Sequence, residues 1–266
     1  MRAKLARFIA ILSLLIPVYF AVAALGARFG LFTWQFSLGT LIIEWGPRLI
    51  IATLVLAGVI LVATLVKAPR KGWRWALVAL VLPALALSYL GWVRAQSQGI
   101  PPIHDISTRA SDPPVFSPAL MAARATTPGS NPVGSLTVPI STFEKYQGPR
   151  FSAIADRSLG EVAAEAYPEV RPLVSTQGVE ATFTAAVAEA RAQGWTIVSE
   201  DAASGLVEAT ATTFWFGFKD DVAIRVRSEG QGSVVDVRST SRVGLSDMGA
   251  NAARIEAYLS GLAARL

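Results

Sequence analysis

The hydrophobic and polar positions change character about a third of the way along the chain. Phe8–Leu25 is an almost unbroken apolar run, and Leu49–Val66 is a second, free of charge. Trp75–Val93 is a third, interrupted only by Pro83 and a few small or weakly polar residues. Each approaches the roughly 20 residues with which a helix crosses about 30 Å of hydrocarbon. Pro83 removes a backbone donor, so the third span is expected to kink rather than break.

Beyond the spans the pattern turns mixed. Pro101-Pro102, Pro113-Pro114 and Pro118 punctuate Gln96–Pro118, predicting an extended arm. Thr126–Pro139 reads as a surface loop and Ser158–Tyr167 as a short helix stopped by Pro168. Val179, Phe183, Val187 and Ala190 recur at helical spacing, and Gly194 ends the run. Four strand-like runs follow: Trp195–Glu200, Leu206–Phe218, Val222–Ser228 and Ser233–Val243. Turns are expected around Ala203-Ser204-Gly205, at Lys219-Asp220 and across Glu229–Gly232. A last helix runs from about Asp247, with Ala252, Ile255, Leu259, Leu262 and Leu266 as its apolar stripe and Ser246 or Asp247 as its cap. The expected fold is membrane-anchored α+β: three N-terminal transmembrane helices, then a four-stranded antiparallel sheet with flanking helices in the order α-β-β-β-β-α. The corresponding division is an anchor over 1–94, a proline-rich arm over 95–178 and the α-β-β-β-β-α domain over 179–266.

Alternation assigns the sheet faces. Val222, Ile224, Val226, Val235 and Val237 form the inward set, opposite Arg225, Arg227, Asp236, Arg238 and Arg242. On the long second run either face can be the buried one; in one orientation Val207, Ala209, Ala211, Thr213 and Trp215 face the helices, their small members allowing close approach. The other side then carries Glu208, Thr210, Thr212, Phe214, Phe216 and Phe218. Such an aromatic and arginine-rich face requires a cover. The arm folding back is one cover; a lipid, a partner or a second copy is the other, and a bulge would flip part of the strand.

Charge sharpens the division. Of 266 residues only 16% are charged, against about 25% in ordinary soluble domains. Met1–Val93 holds nine Lys/Arg against Glu44 alone, whereas Arg94–Leu266 holds fifteen against eighteen acids. The basic excess therefore belongs to the membrane segment and implies no nucleic-acid partner. Arg2, Lys4 and Arg7, with Lys67, Arg70, Lys71 and Arg74 in the second loop, place the N-terminus in the cytoplasm. The C-terminal domain is then extracytoplasmic. That outcome holds even if Ala21-Val22-Ala23 is a signal cleavage site. Trp34, Trp45, Trp73, Trp75 and Trp92 sit beside span ends, where amphipathic rings are favoured. The span interiors carry no ionisable group, which favours an anchor over a transporter, although a homo-oligomeric channel stays open as a third reading.

The candidate chemistry is sparse. The chain has no cysteine and one histidine, His104, which excludes thiolate chemistry and multi-histidine metal sites; no metal or cofactor is expected. Asp105 and Ser107 neighbour His104, a thin basis for a nucleophile, so His104 reads as a packing residue. Asp220-Asp221 can be read as a cation site or a carboxylate pair, but adjacent residues point apart and Asp is a common turn residue. Arg225, Arg227, Arg238 and Arg242 form a tentative ligand or partner surface with Phe214, Phe216 and Phe218, suited to an anionic lipid or an envelope protein partner. Cross-strand pairing with Glu208 and Asp236 is the competing reading. Gly244–Asn251 lacks the order of a phosphate-binding loop.

Pro101–Thr108 (P-P-I-H-D-I-S-T), Asp112–Phe116 (D-P-P-V-F), Ala166-Tyr167-Pro168, Gly194-Trp195, Phe214–Asp221 (F-W-F-G-F-K-D-D) and Asp236–Ile255 occur in order. Over roughly Ile100–Leu266 the chain is similar to the bacterial domain-of-unknown-function family numbered 1499. The resemblance implies a domain found often on bacterial membrane proteins and carries no catalytic residues with it. The leading expectation is a non-enzymatic envelope protein whose three-span anchor presents a binding or scaffolding domain at the outer face of a bacterial inner (plasma) membrane. The alternative is an envelope hydrolase using Asp220, Asp221 and Ser241.

Overall fold

The structure, a computed structural model, describes residues 2–66 and 68–266. It divides into one unit of Met1–Gly99 with Thr213–Gly217, and a second of Ile100–Thr212 with Phe218–Leu266. Lys67, one of the basic residues that set the expected direction, lies outside the described residues.

In the first unit, α1 (Arg2–Arg28), α2 (Gly46–Val66) and α3 (Trp73–Ser97) contain the three expected spans. They are long and apolar enough to cross a membrane. α3 continues through Pro83. Ala6, Ala10, Ala57, Ala76 and Ala79 are buried where the helices meet, and their small side chains allow close approach. The Ser13 hydroxyl donates to the Ala79 carbonyl at 2.8 Å, so the polar group is satisfied inside the bundle. The segment expected to be a plain first loop is instead partly helical, a π-helix over Gln35–Trp45 leading into α2. Tyr19 donates to the Leu41 carbonyl at 2.7 Å and Ser37 to the Ala23 carbonyl, which ties this apolar stretch to α1. Glu44 and Arg48 pair one turn apart at 2.7 Å.

In the second unit the sheet has six strands, not the expected four. The four alternating runs become β3 (Thr196–Asp201), β4 (Leu206–Thr212), β5 (Lys219–Glu229) and β6 (Gly232–Ser241). The additional two, β1 (Asp105–Ser107) and β2 (Leu173–Ser175), are three-residue strands that both pair antiparallel with β6. The order is β1-β6-β5-β4-β3, with β2 on β6 beyond β1. Both extra strands come from the arm and its continuation, too short to show alternation in sequence.

The long strand also needs correction. β4 stops at Thr212, and Thr213–Gly217 forms a turn closed by the Gly217 N–H on the Thr213 carbonyl at 3.1 Å. Gly217 has φ +66°, which breaks the alternation expected of Phe214, Phe216 and Phe218. Lys219 and Asp220 are therefore strand residues rather than a turn.

Val222, Ile224, Val226, Val235 and Val237 form one buried face, as alternation predicted, and Val207, Ala209 and Ala211 of β4 join them, which settles the face of that strand. Against them pack α5 (Leu159–Ala166), α6 (Val179–Ala192) and α7 (Ala250–Ala263), through Val162, Phe183, Ala186, Ile255, Tyr258 and Leu262. Ser158 and Glu161 cap α5 reciprocally. The backbone cap of α7 is Gly249 rather than Ser246 or Asp247. The Asp247 carboxylate still accepts the Gly249 and Asn251 N–H groups, at 2.8 and 3.0 Å.

At Gly205 (φ +68°) an added Cβ would lie 2.2 Å from the Val226 carbonyl oxygen. Gly205→Ala should cost about 2 kcal/mol in denaturation of the full chain in micelles, because both the backbone and the ladder must shift. Gly230→Asn, at an open turn with φ +57°, should be near neutral. Equal stability of the two variants would contradict the close approach.

Candidate functional site

The sheet face opposite the core is the charged one, and the register builds it in rungs. Asp105, Thr240, Asp221 and Thr210 lie side by side across β1, β6, β5 and β4. Arg238, Ala223 and Glu208 form the next rung, and Asp236 and Arg225 the one after. Almost all of these side chains are buried, so the arm, not solvent, covers them.

The arm is pinned to this face by backbone and side chains alike. The Thr108 N–H donates to the Val237 carbonyl at 2.9 Å and the Asn131 N–H to the Arg242 carbonyl at 2.6 Å. Ser117-Pro118 opens α4 (Pro118–Ala125): the Ser117 hydroxyl accepts the Leu120 N–H, and Pro occupies the first helical position. This helix lays Phe116 and Leu120 on Ala223 and delivers Arg124 to the sheet.

Four carboxylates organise the interface. Asp221 accepts from Arg242 through two bonds of 2.8 Å, from Arg124 at 2.8 Å and from Thr210 at 2.8 Å. Asp105 takes a two-pronged bond from Arg238 at 3.0 and 2.8 Å, and Arg238 lies over the Phe116 ring. Asp236 accepts from Arg109, Arg225 and Arg227 at 3.0, 3.1 and 2.5 Å. Glu208 receives the Ser117 N–H and hydroxyl at 2.6 and 2.7 Å and the Ser199 hydroxyl at 2.7 Å. Burial alone pushes Asp236 upward, but hydrogen bonds from Arg227, Arg109 and Arg225 outweigh it and hold its pKa below the ordinary value.

Asp220 points to the other face. It pairs with Arg254 of α7 at 2.5 Å, and Arg254 also reaches the Ser239 hydroxyl at 3.1 Å. Asn251 donates to the His104 carbonyl and the Ser241 hydroxyl at 3.0 and 2.9 Å. Asp220 and Asp221 thus lie on opposite sides of the sheet and form no carboxylate pair. His104 is 2% exposed, and its Nδ1 meets the Tyr146 hydroxyl at 2.5 Å. Asp105 is committed to Arg238, so His104, Asp105 and Ser107 do not assemble as a nucleophile and base. Burial lowers the His104 pKa to about 4, against the opposing pull of Asp105.

The tentative surface therefore separates. Arg238 and Arg242 are buried in pairs, and Arg225 is shared by Asp112 and Asp236. Arg227 is partly exposed beside Asp236. Phe214 and Trp215 project from the Thr213–Gly217 turn, 67% and 53% exposed. Arg109, Asp112, Arg124, Asn251 and Arg254 escape a reading of alternation. Arg124 was detectable only through the Ser117-Pro118 helix start.

Fold and face together define an antiparallel sheet held between a helical layer and its own proline-rich arm, in a chain whose described residues include three helices long and apolar enough to cross a membrane. The chain belongs to the family described as "Protein of unknown function (DUF1499)", whose model matches residues 105–262, from β1 into α7. No curated protein matches it.

Removing one member of a buried pair strands its partner. Asp221→Ala, which strands Arg124 and Arg242, should cost about 3–5 kcal/mol, whereas Asp112→Ala at the exposed edge should shift the midpoint far less, because solvent screens its pair. Denaturation midpoints of the two variants check this, and a mild Asp221→Ala would mean that the face is hydrated.

His104 predicts a pH dependence. Its folded pKa lies below the unfolded value, so its contribution is complete above about pH 6.5 and is lost as pH falls toward 4, by about 3 kcal/mol. Asp247, raised by burial, acts with the opposite sign. The difference between wild type and His104→Gln isolates the imidazole, and a difference that stays constant from pH 7 to 4 would contradict its burial.

Proposed function

We propose that the chain is a non-enzymatic protein of the bacterial inner membrane, with a cytoplasmic N-terminus and its sheet domain on the periplasmic side. The domain binds envelope material, a lipid or an envelope protein partner, rather than transforming a substrate. The observation that carries this reading is the Thr213–Gly217 turn. It holds two exposed aromatic rings, Phe214 and Trp215, set edge to face at 5.3 Å, on a segment that clusters with the apolar helices. Arg28 donates to the Thr213 and Phe214 carbonyls at 2.8 and 2.6 Å and lies over the Phe214 ring. Aromatic rings beside a span end suit the boundary between hydrocarbon and water. The engagement of Asp105, Glu208, Asp220, Asp221 and Asp236 supports the same reading, because their oxygens hold arginines and hydroxyls of the chain itself and these hydrogen bonds have an evident structural role.

The absence of cysteine makes any introduced thiol unique. In intact spheroplasts a membrane-impermeant maleimide should label Ser228→Cys, whereas Lys71→Cys should react only after permeabilisation; the reverse pattern would invert the topology. A benzophenone maleimide on Trp215→Cys should crosslink to lipid or to one envelope protein well above the level at Ser228→Cys. Equal crosslinking at both positions would remove the turn as the binding element.

A further inference from the structure

Within the helical unit lies a cavity of about 580 Å³, in the range of pockets that hold a drug-sized ligand. It sits between the C-terminal half of α1, the N-terminal end of α2 and the C-terminal half of α3, with Trp215 and Phe216 from the turn in its wall. Among the described residues lining it, only the Tyr89 hydroxyl and the Trp215 indole nitrogen are polar side-chain groups. Water is held in such a space by several polar partners, and this wall supplies few.

The dimensions fit one leaflet. The lining on α1 runs from Ile16 to Ala24, a rise of about 12 Å, close to the roughly 15 Å that half of a bilayer's hydrocarbon occupies. Pro17, Ala21 and Ala24 share a helical face, and Arg28 follows one turn beyond Ala24 on that face. Arg28 is exposed, and its bonds to the turn carbonyls both use Nη1. A guanidinium at that level is suited to a phosphate group. We propose that the cavity holds one acyl chain of a phospholipid, with the lipid phosphate at Arg28 and the Trp215–Phe216 edge closing over the chain. The assignment rests on the membrane-spanning reading of the helices and holds for either orientation.

Native mass spectrometry of the full chain, released from its membrane in mild detergent, tests it. Wild type should retain one phospholipid per chain. Ala86→Phe, which fills the cavity from α3, should lower that occupancy about ten-fold, while Val59→Phe on an exposed face of α2 leaves it unchanged. Arg28→Gln should weaken retention of phospholipid. As a check that needs no cavity-filling variant, phosphatidylglycerol brominated along its chains should quench the fluorescence lost in Trp215→Phe. Bare wild type, equal occupancy in Ala86→Phe and Val59→Phe, or unquenched Trp215 would overturn the proposal. Release of the chain from membranes by alkaline carbonate would overturn the membrane-spanning reading itself.

Discussion

The sheet domain depends on neutralising a buried face of charges. Removing one partner of a buried ion pair commonly costs about 3–5 kcal/mol, a large part of a domain's net stability. Here Asp105, Asp221 and Asp236 are each matched by arginine, and two of the arginines, Arg109 and Arg124, come from the arm. The arm is consequently part of the fold: it supplies β1, α4, the Asp105 carboxylate that neutralises Arg238, and Arg109 and Arg124 beside acids that Arg225, Arg227 and Arg242 also neutralise. Conversely, the sheet supplies the acids that hold an arm containing little regular structure of its own.

That mutual dependence explains which features the sequence displays. Alternation correctly places Val222, Ile224, Val226, Val235 and Val237 on one face and Arg225, Asp236 and Arg238 on the other, because a two-residue period survives in long strands. The spans and α6 are equally legible from apolar runs and helical spacing. β1 and β2 are not: three residues show no period, and they are strands only because β6 offers an edge. Phe214, Phe216 and Phe218 continue the alternation of β4 on paper, but the turn at Gly217 takes them off the sheet. The π-helical stretch before α2 was hidden by Gly39 and by its position between spans.

The site was less legible than the fold for a related reason. Charge on a sheet face marks a need for partners without saying whether they come from a ligand or from the same chain. The arginines nominated as a surface are largely spent on Asp105, Asp221, Asp112 and Asp236, and the decisive partner Arg124 arrives from a short helix 97 residues away from Asp221 in sequence. Apart from that network, the exposed Phe214–Trp215 pair and the cavity in the helical unit are apolar. The proposed function and the proposed acyl-chain site rest on these two features.

Hydrogen–deuterium exchange of the full chain tests most directly whether the arm closes the charged face. Amides of Thr108, Asn131 and α4 should exchange on the timescale of β5 and β6, as one cooperative body with the sheet. An arm that exchanges fast while β5 and β6 stay protected would contradict the account, leaving the arginine and carboxylate face open to a ligand.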